Sequence, residues 1–361
     1  MLAVRLQGRA YDGFNLNVDF SVAKGTCTGI FGLSGSGKST LLRCIAGLKA
    51  VDGEIQCDGT PWRHNGINLP PHQRRAAMVF QSPSLLPHKS VDENIAQAAS
   101  YASTKTNALS IDTLIEQFGL AGLRQRTAAS LSGGQQQRAA IARAVAAQPP
   151  VLLLDEPLTG LDADARNQIL QVLMRLQQSG QTMIFVSHSA TAHALLANKL
   201  LVLEAGAQSL YGDTQSVFEN AAAPAALRKQ AGVMLRGATV LDNDGGLASV
   251  QYQTLRFQVA CAAEVGASLN LRIRADDVSL STGESAPSSI MNAVPATVVG
   301  IACTDANPMA MVTLDCGGQR LLSRVTRRAL ERLTLEVGDP VVAQIKSAAI
   351  DVFTVTELSE Q

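Results

Sequence analysis

The stretch CTGIFGLSGSGKSTLLRCIAGL (27–48) decides the fold of this chain. CTGIFGL (27–33) reads as a buried strand, and STLLRCIAGL (39–48) as a helix with Leu41, Leu42, Ile45 and Leu48 on one face. Between them, Gly32-Leu-Ser-Gly-Ser-Gly-Lys-Ser39 fits G-x-x-x-x-G-K-[ST]. Gly32, Gly35 and Gly37 let backbone N–H groups curl around a phosphate without side-chain clash, and the helix start adds its positive dipole end. In such a loop Lys38 bridges the β- and γ-phosphates of a nucleotide and the Ser39 hydroxyl ligates Mg²⁺, with Ser34, Ser36 and Thr40 completing the candidate phosphate site.

Outward from the loop, short apolar runs alternate with amphipathic helices. AAMVF (76–80), VLLLD (151–155) and TMIFVS (182–187) are buried-strand candidates, and DARNQILQVLMRLQQ (164–178) is a helix between two of them. That alternation predicts an α/β sheet domain. VLLLDE supplies what a phosphate loop lacks, a strand ending in two carboxylates. Asp155 is placed to hold Mg²⁺ through water, and Glu156 to take a proton from the attacking water as general base. Gln81 and His188 end two further strands and are candidates for the lytic water or metal and for the γ-phosphate.

Composition bounds the rest. Thirty basic and thirty acidic residues cancel, which argues against a nucleic-acid partner and against a globally basic membrane-binding field. Cys27, Cys44, Cys57, Cys261, Cys303 and Cys316 form no C-x-x-C pair, so neither a zinc site nor a disulfide framework is expected, and a reducing cytosol is. The start, MLAVRLQGRAYDGF, lacks the pattern of a signal peptide, and no run approaches the roughly 18 apolar residues of a membrane helix. Beyond an alanine-rich connection (219–232) short strands dominate. AEVGASLNLRIRADDV (263–278) and LEVGDPVVAQIKSAAI (335–350) share Glu-Val-Gly, then isoleucine and a basic residue at matched positions, which predicts two related β lobes joined by STGESAPSS (281–289).

LSGGQQQR (131–138) raises the question of a second anion site. It has no lysine and follows no strand, yet Ser132, Gly133 and Gly134 open a helix whose N–H groups again face an anion. LSGGQ after a phosphate loop and just before a D-E-P strand resembles the signature of ABC-type ATPases, over the whole first domain. The resemblance implies that ATP is sandwiched in a head-to-tail homodimer, the signature of one copy completing the site of the other. It implies Gln81 as the Q-loop, Ser132 to Gln135 as the signature, Asp155 and Glu156 as the Walker B pair, Leu161-Asp162 as the D-loop and His188 as the switch histidine. The adenine-stacking aromatic is left between Tyr11 and Phe14. Phe14 also continues the alternating strand face of Leu16, Val18 and Phe20.

SPSLLPHKSVDEN (82–94) is then the surface expected to grip a transmembrane partner, unless its Leu85-Leu86-Pro87-His88 buries within the domain. LPPHQRRAAMVFQ (69–81), RADDVSLS (274–281), SSIMNAVPATVVGI (288–301), LLSRVTRRAL (321–330) and AQIKSAAI (343–350) resemble the ATPase subunits of molybdate importers, the tail looking like their TOBE-type domain. The resemblance implies a possible oxyanion site at Ser289, Asn292, Lys346 and Ser347, although Met291 stands where that family often has arginine. It also implies permease subunits, an extracytoplasmic binding protein, and a peripheral place on the cytoplasmic face of the membrane. Sulfate, iron, sugar or polyamine importers are the alternatives, and a soluble ABC ATPase of repair or translation is a more distant one. The expected division is an ATP-binding domain (1–225), a linker with the first β lobe (226–289) and the TOBE-type domain (290–361), that is, an α/β unit followed by a small all-β, OB-like one.

Overall fold

Alternating apolar residues build the first strands. Leu2, Val4 and Leu6 are buried in β1 (Leu2–Arg9), as are Leu16, Val18, Phe20 and Val22 in β2 (Asn15–Val22), while most of the residues between them face outward. The computed structural model describes residues 1–9, 14–102, 110–220, 222–283, 288–303 and 308–354. These form two units, Met1–Thr214 and Gln215–Gln361.

The first unit continues with β3 (Cys27–Phe31), α1 (Lys38–Ile45), β4 (Gly53–Cys57), β5 (Thr60–His64), β6 (Ile67–Asn68), α2 (Pro71–Arg74), β7 (Ala77–Val79), α3 (Val91–Ala99), α4 (Ile111–Gln117) and α5 (Gly133–Ala146). There follow β8 (Val151–Asp155), α6 (Ala163–Gln178), β9 (Thr182–Val186), α7 (Ala190–Leu196), β10 (Lys199–Glu204) and β11 (Ala207–Asp213). All eleven strands join one sheet in the order β6-β5-β4-β1-β2-β11-β10-β3-β9-β8-β7. From β10 to β7 neighbouring strands are parallel. Every residue of β3, β8 and β9 is buried, as the unbroken apolar runs predict for strands covered on both faces. The parallel order carries the ends of β3, β8, β9 and β7 to one edge, where ligands of open α/β sheets bind.

The helix after the phosphate loop is shorter than its apolar pattern predicts. Leu41, Leu42 and Ile45 are buried, but Leu48 lies past the helix end and is 48% exposed. Two features stop α1. Gly47 takes φ +80°, a left-handed conformation that favours glycine, and Arg74 occupies the last carbonyls of the helix. The buried Arg74 guanidinium donates to the carbonyls of Cys44 and Ile45, both at 2.8 Å, and to those of Leu69 and Asn68 Oδ1 at 2.9 Å. A cation at a helix C-terminus is favoured by the dipole as well as by these bonds.

The second unit begins with α8 (Thr214–Glu219), which spans the boundary, and α9 (Ala225–Arg228). Its strands are β12 (Gly232–Asp244), β13 (Leu247–Tyr252), β14 (Leu255–Ala260), β15 (Ser268–Arg274), β16 (Val278–Ser281), β17 (Asn292–Ala302), β18 (Met309–Asp315), β19 (Arg320–Thr326), β20 (Pro340–Ile345) and β21 (Ile350–Thr354), with α10 (Arg327–Leu333) between β19 and β20. They form two antiparallel sheets, β14-β13-β12-β15-β21 and β19-β18-β17-β20-β16. The sequence repeat falls on matched parts of both. β15 and β20 each lead through a 3₁₀ turn (Ala275–Asp277, Ser347–Ala349) into a strand that pairs in the other sheet, β16 beside β20 and β21 beside β15. Each lobe therefore completes the other, and the boundary between lobes does not follow a single point in the sequence.

Arg74→Met, which keeps volume and removes the donors, is expected to lower stability by about 2–3 kcal/mol through loss of the four hydrogen bonds that the guanidinium makes. The denaturant midpoint reads this directly.

Candidate active site

β3 ends one residue before Gly32, and the chain turns at once. A Cβ on Gly32 would meet the Leu203 carbonyl oxygen at 2.4 Å and Ser36 Oγ at 2.5 Å. Gly37 caps α1 at φ +98°, with the Phe14 ring so close that a Cβ would lie 2.4 Å from its Cε1. The buried Lys38 ammonium folds back along the loop and donates to the carbonyls of Gly32 (2.8 Å) and Leu33 (2.9 Å). Burial lowers its pKa, opposed by the negative charges of Glu156 and Asp155. Ser36 Oγ is buried without a hydrogen-bond partner. A glycine cradle with a buried ammonium and an orphaned hydroxyl is a fitting receptacle for phosphate.

Asp155 closes β8, and its Oδ1 accepts a hydrogen bond from Ser39 Oγ at 2.9 Å. Burial raises the Asp155 pKa against the pull of Ser39, Arg43 and Lys38. Glu156 follows at φ +50°, left-handed without being glycine, a conformation that costs on the order of 1 kcal/mol and marks a functional position. Its backbone N–H donates to the Val186 carbonyl (3.1 Å), and His188 Nε2 lies 3.1 Å from Glu156 Oε1. Burial raises the Glu156 pKa, with His188 and Lys38 opposing, so this carboxylate is a better proton acceptor than an exposed one. Among the described residues no group of three or more His, Cys, Asp or Glu is arranged to hold a metal ion. Mg²⁺ needs no such cage, since one hydroxyl, one carboxylate, water and substrate phosphates suffice.

Lys38, Ser39, Asp155, Glu156 and His188 are thus brought to one sheet edge. Gln81 lies on the same edge, exposed, two residues past β7, whose Val79 is level with Leu154 of β8. Ser132 stands apart as the N-cap of α5. Its Oγ accepts from the N–H of Gln135 while Gln135 Oε1 accepts from the N–H of Ser132, a reciprocal cap that leaves Gly133 and Gly134 at the exposed helix start. Asp162 caps α6, its Oδ1 accepting from the N–H of Ala165 at 2.8 Å, a role the sequence reading missed although an Asp before a helical run signals it. Phe14 packs on the core as well as on Gly37, and Tyr11 lies outside the described residues.

The 82–94 segment is pinned rather than loose. The buried Asn94 side chain accepts from the Leu86 N–H (2.9 Å) and donates to the carbonyls of Leu86, Lys89 and Ser90, and Arg143 Nη1 donates to the Ser84 carbonyl at 2.5 Å. Beside it opens a largely apolar cavity of about 340 Å³, lined by Met78, Phe80, Ser84, Tyr101 and Arg143 among others, with Tyr101 73% exposed.

Of the oxyanion candidates, Ser289 and Lys346 are exposed and Ser347 Oγ is buried without a hydrogen-bond partner. Asn292 is buried and already engaged, its Oδ1 with the Gln258 N–H (2.6 Å) and its Nδ2 with the carbonyls of Gln258 and Ile345. In the first copy of the repeat the position of Lys346 is Arg274, ion-paired with Asp277 at 2.6 Å. The second copy has Ala348 and Ala349 in place of Asp276 and Asp277.

One further buried group, His193 in α7, was not singled out by the sequence. Burial pushes its pKa from 6.5 down to about 4. Above pH 6.5 the folded and unfolded chains both hold it neutral. As pH falls from 6.5 toward 4 only the unfolded chain gains the proton, so stability declines, by about 3 kcal/mol at the acid end. His193→Gln should flatten that part of the stability profile between those pH values. Gly37→Ala, with both its φ and the Phe14 ring against it, should abolish nucleotide binding, as read by titration with a fluorescent ATP analogue.

The ABC transporter family pattern matches residues 16–159, and the TOBE domain pattern residues 288–352. The molybdenum import ATP-binding protein ModC of Pseudomonas aeruginosa is 38% identical over 351 residues, 95% of this chain and 97% of that protein. ModC of Rhodopseudomonas palustris is 39% identical over 347 residues, 94% and 92% of the two chains. Among solved structures, the dimeric post-hydrolysis state of the ATP-binding cassette MJ0796 bound to ADP and Pi matches with a TM-score of 0.53 at 27% identity, covering 59% of this chain and 99% of that one. Matched by both family patterns and by ModC relatives over nearly its full length, the chain belongs to the ABC transporter ATPases, in their ModC group.

Proposed function

We propose that this chain is the ATP-hydrolysing subunit of an importer whose cargo is molybdate, acting as a head-to-tail dimer beneath permease subunits. The observation that carries the reading is the strand-edge cluster of Lys38, Ser39, Asp155, Glu156 and His188, in a chain whose ModC relatives match it over nearly its full length. Lys38 and the loop N–H groups bind the β- and γ-phosphates of ATP. Ser39, Asp155 through water, and Gln81 hold Mg²⁺, which when bound neutralises phosphate charge and orients the leaving group. Glu156 accepts the proton of the attacking water, and His188 steadies that carboxylate and the γ-phosphate. In the dimer, Ser132, Gly133, Gly134 and Gln135 of the second copy meet the γ-phosphate from the other side, with Asp162 beside them. Closure on ATP and reopening on hydrolysis then drive the permease, which docks at the cavity beside Tyr101 and the 82–94 loop.

No helix among the described residues is long and apolar enough to cross a membrane. The proposal assigns the crossing to the permease, cargo capture to an extracytoplasmic binding protein, and this chain to the cytoplasmic face. Ser289, Lys346 and Ser347 are the groups best placed to take an oxyanion in the tail, because the Asn292 amide is already engaged.

Glu156→Gln should cut ATP turnover at least about a hundredfold while leaving ATP binding intact, since only the proton acceptor is lost. Turnover at the wild-type rate would refute the general-base assignment. Calorimetric titration of the full chain with molybdate, tungstate and sulfate should show saturable binding of the first two alone, abolished by Lys346→Ala. A flat molybdate titration would remove the tail site and leave cargo to the membrane partners.

A further inference from the structure

His193 packs over two neighbouring strands, β3, which enters the phosphate loop, and β9, which leads to His188. Its ring sits edge-on to Phe31, the last residue of β3 before the phosphate loop, and to Phe185 in β9, with centroids 6.1 and 5.4 Å away and planes at 74° in both cases. Nε2 lies 2.8 Å from the Ser187 carbonyl oxygen. A carbonyl only accepts, so Nε2 carries the proton and the neutral ring keeps its lone pair on Nδ1. Nδ1 is buried without a hydrogen-bond partner and faces Gly29, where a Cβ would come within 2.4 Å of it. As core filling this is a poor choice, for an unpaired buried nitrogen costs stability that Phe or Leu would not. What the imidazole adds is one directed hydrogen bond.

That bond falls on the peptide just before His188. The preceding carbonyl, that of Val186, accepts from the Glu156 N–H at 3.1 Å, and Ser187 Oγ accepts from the Ser189 N–H at 3.1 Å. Two successive carbonyls are thus held, one by Glu156 and the other by His193, and between them they fix where His188 leaves the backbone. We infer that His193 is a positioning residue for ATP hydrolysis: its Nε2–H bond to the Ser187 carbonyl orients the peptide that carries His188 and so sets the reach of His188 to Glu156. Its packing against Phe31 ties the same peptide to the strand that enters the phosphate loop. Because burial keeps the ring neutral down to about pH 4, it offers the same single donor throughout the neutral range. The inference rests on the reading of Glu156 and His188 as the hydrolytic pair.

The test is steady-state ATP hydrolysis by the full-length chain, wild type beside H193F, H193M and H193Q, with unfolding midpoints measured on the same preparations. H193F keeps the ring and removes the donor, and H193M, flexible enough to fill the same space, replaces it should H193F not fold. The donor-free variants should lose roughly ten- to a hundredfold in kcat, the scale expected of a small misplacement at a reacting centre, with KM for ATP little changed. H193Q, whose amide N–H can reach the Ser187 carbonyl, should recover most of kcat. Wild-type kcat in a folded donor-free variant would overturn the inference, as would equal loss in H193Q or a change confined to KM or the unfolding midpoint. A wild-type chain without ATPase activity would overturn the hydrolytic reading and this inference with it, whereas an active wild type beside an equally active, folded H193F would overturn this inference alone.

Discussion

The constraint on which the first unit depends is a lysine ammonium buried where a strand becomes a helix. Taking a cation out of water costs several kcal/mol unless it is closely held. Lys38 is held by two carbonyls of its own loop, with the charges of Glu156 and Asp155 near enough to oppose the lowering of its pKa by burial. The chain can wrap so tightly only because glycine stands where a Cβ would strike Leu203, Ser36 or Phe14. The unmet demand, that of the Ser36 hydroxyl beside the ammonium, is for an anion.

The same demand explains the sheet. A parallel arrangement sets the ends of β3, β8, β9 and β7 along one edge, so that residues far apart in sequence share one site. Asp155 and Glu156 are consecutive yet take different work because the backbone turns between them. Asp155 closes the strand against Ser39, while Glu156, in a left-handed conformation, swings to His188. Burial raises both carboxyl pKa values, and the positive groups nearby keep them ionisable.

The second unit obeys a different economy. Each lobe lends its last strand to the other sheet, so neither hydrophobic face is complete alone. Within this frame the two copies of the repeat have diverged in charge. Arg274 and Arg324 are neutralised by Asp277 and Asp276, whereas Lys346 stands beside alanines.

Much of this was legible in the sequence. The 3.6-residue and unbroken apolar patterns located β3, β7, β8, β9, α5 and α6 to within a residue or two, because strand and helix periodicity follow from local backbone geometry. The residue order Gly32–Ser39, Gln81, LSGGQ, Asp155–Glu156 and His188 named the chemistry, since a phosphate loop and its carboxylates depend on residue type and spacing. The repeat gave the duplicated tail. What only the tertiary structure decided depends on contacts between distant segments: that Arg74 ends α1 before Leu48, that Asn292 is consumed by Gln258 and Ile345, that the lobes exchange strands, and that His193 bonds the carbonyl of Ser187. No local pattern encodes these, because a buried arginine, asparagine or histidine takes its partners from whichever carbonyls the fold leaves unpaired beside it.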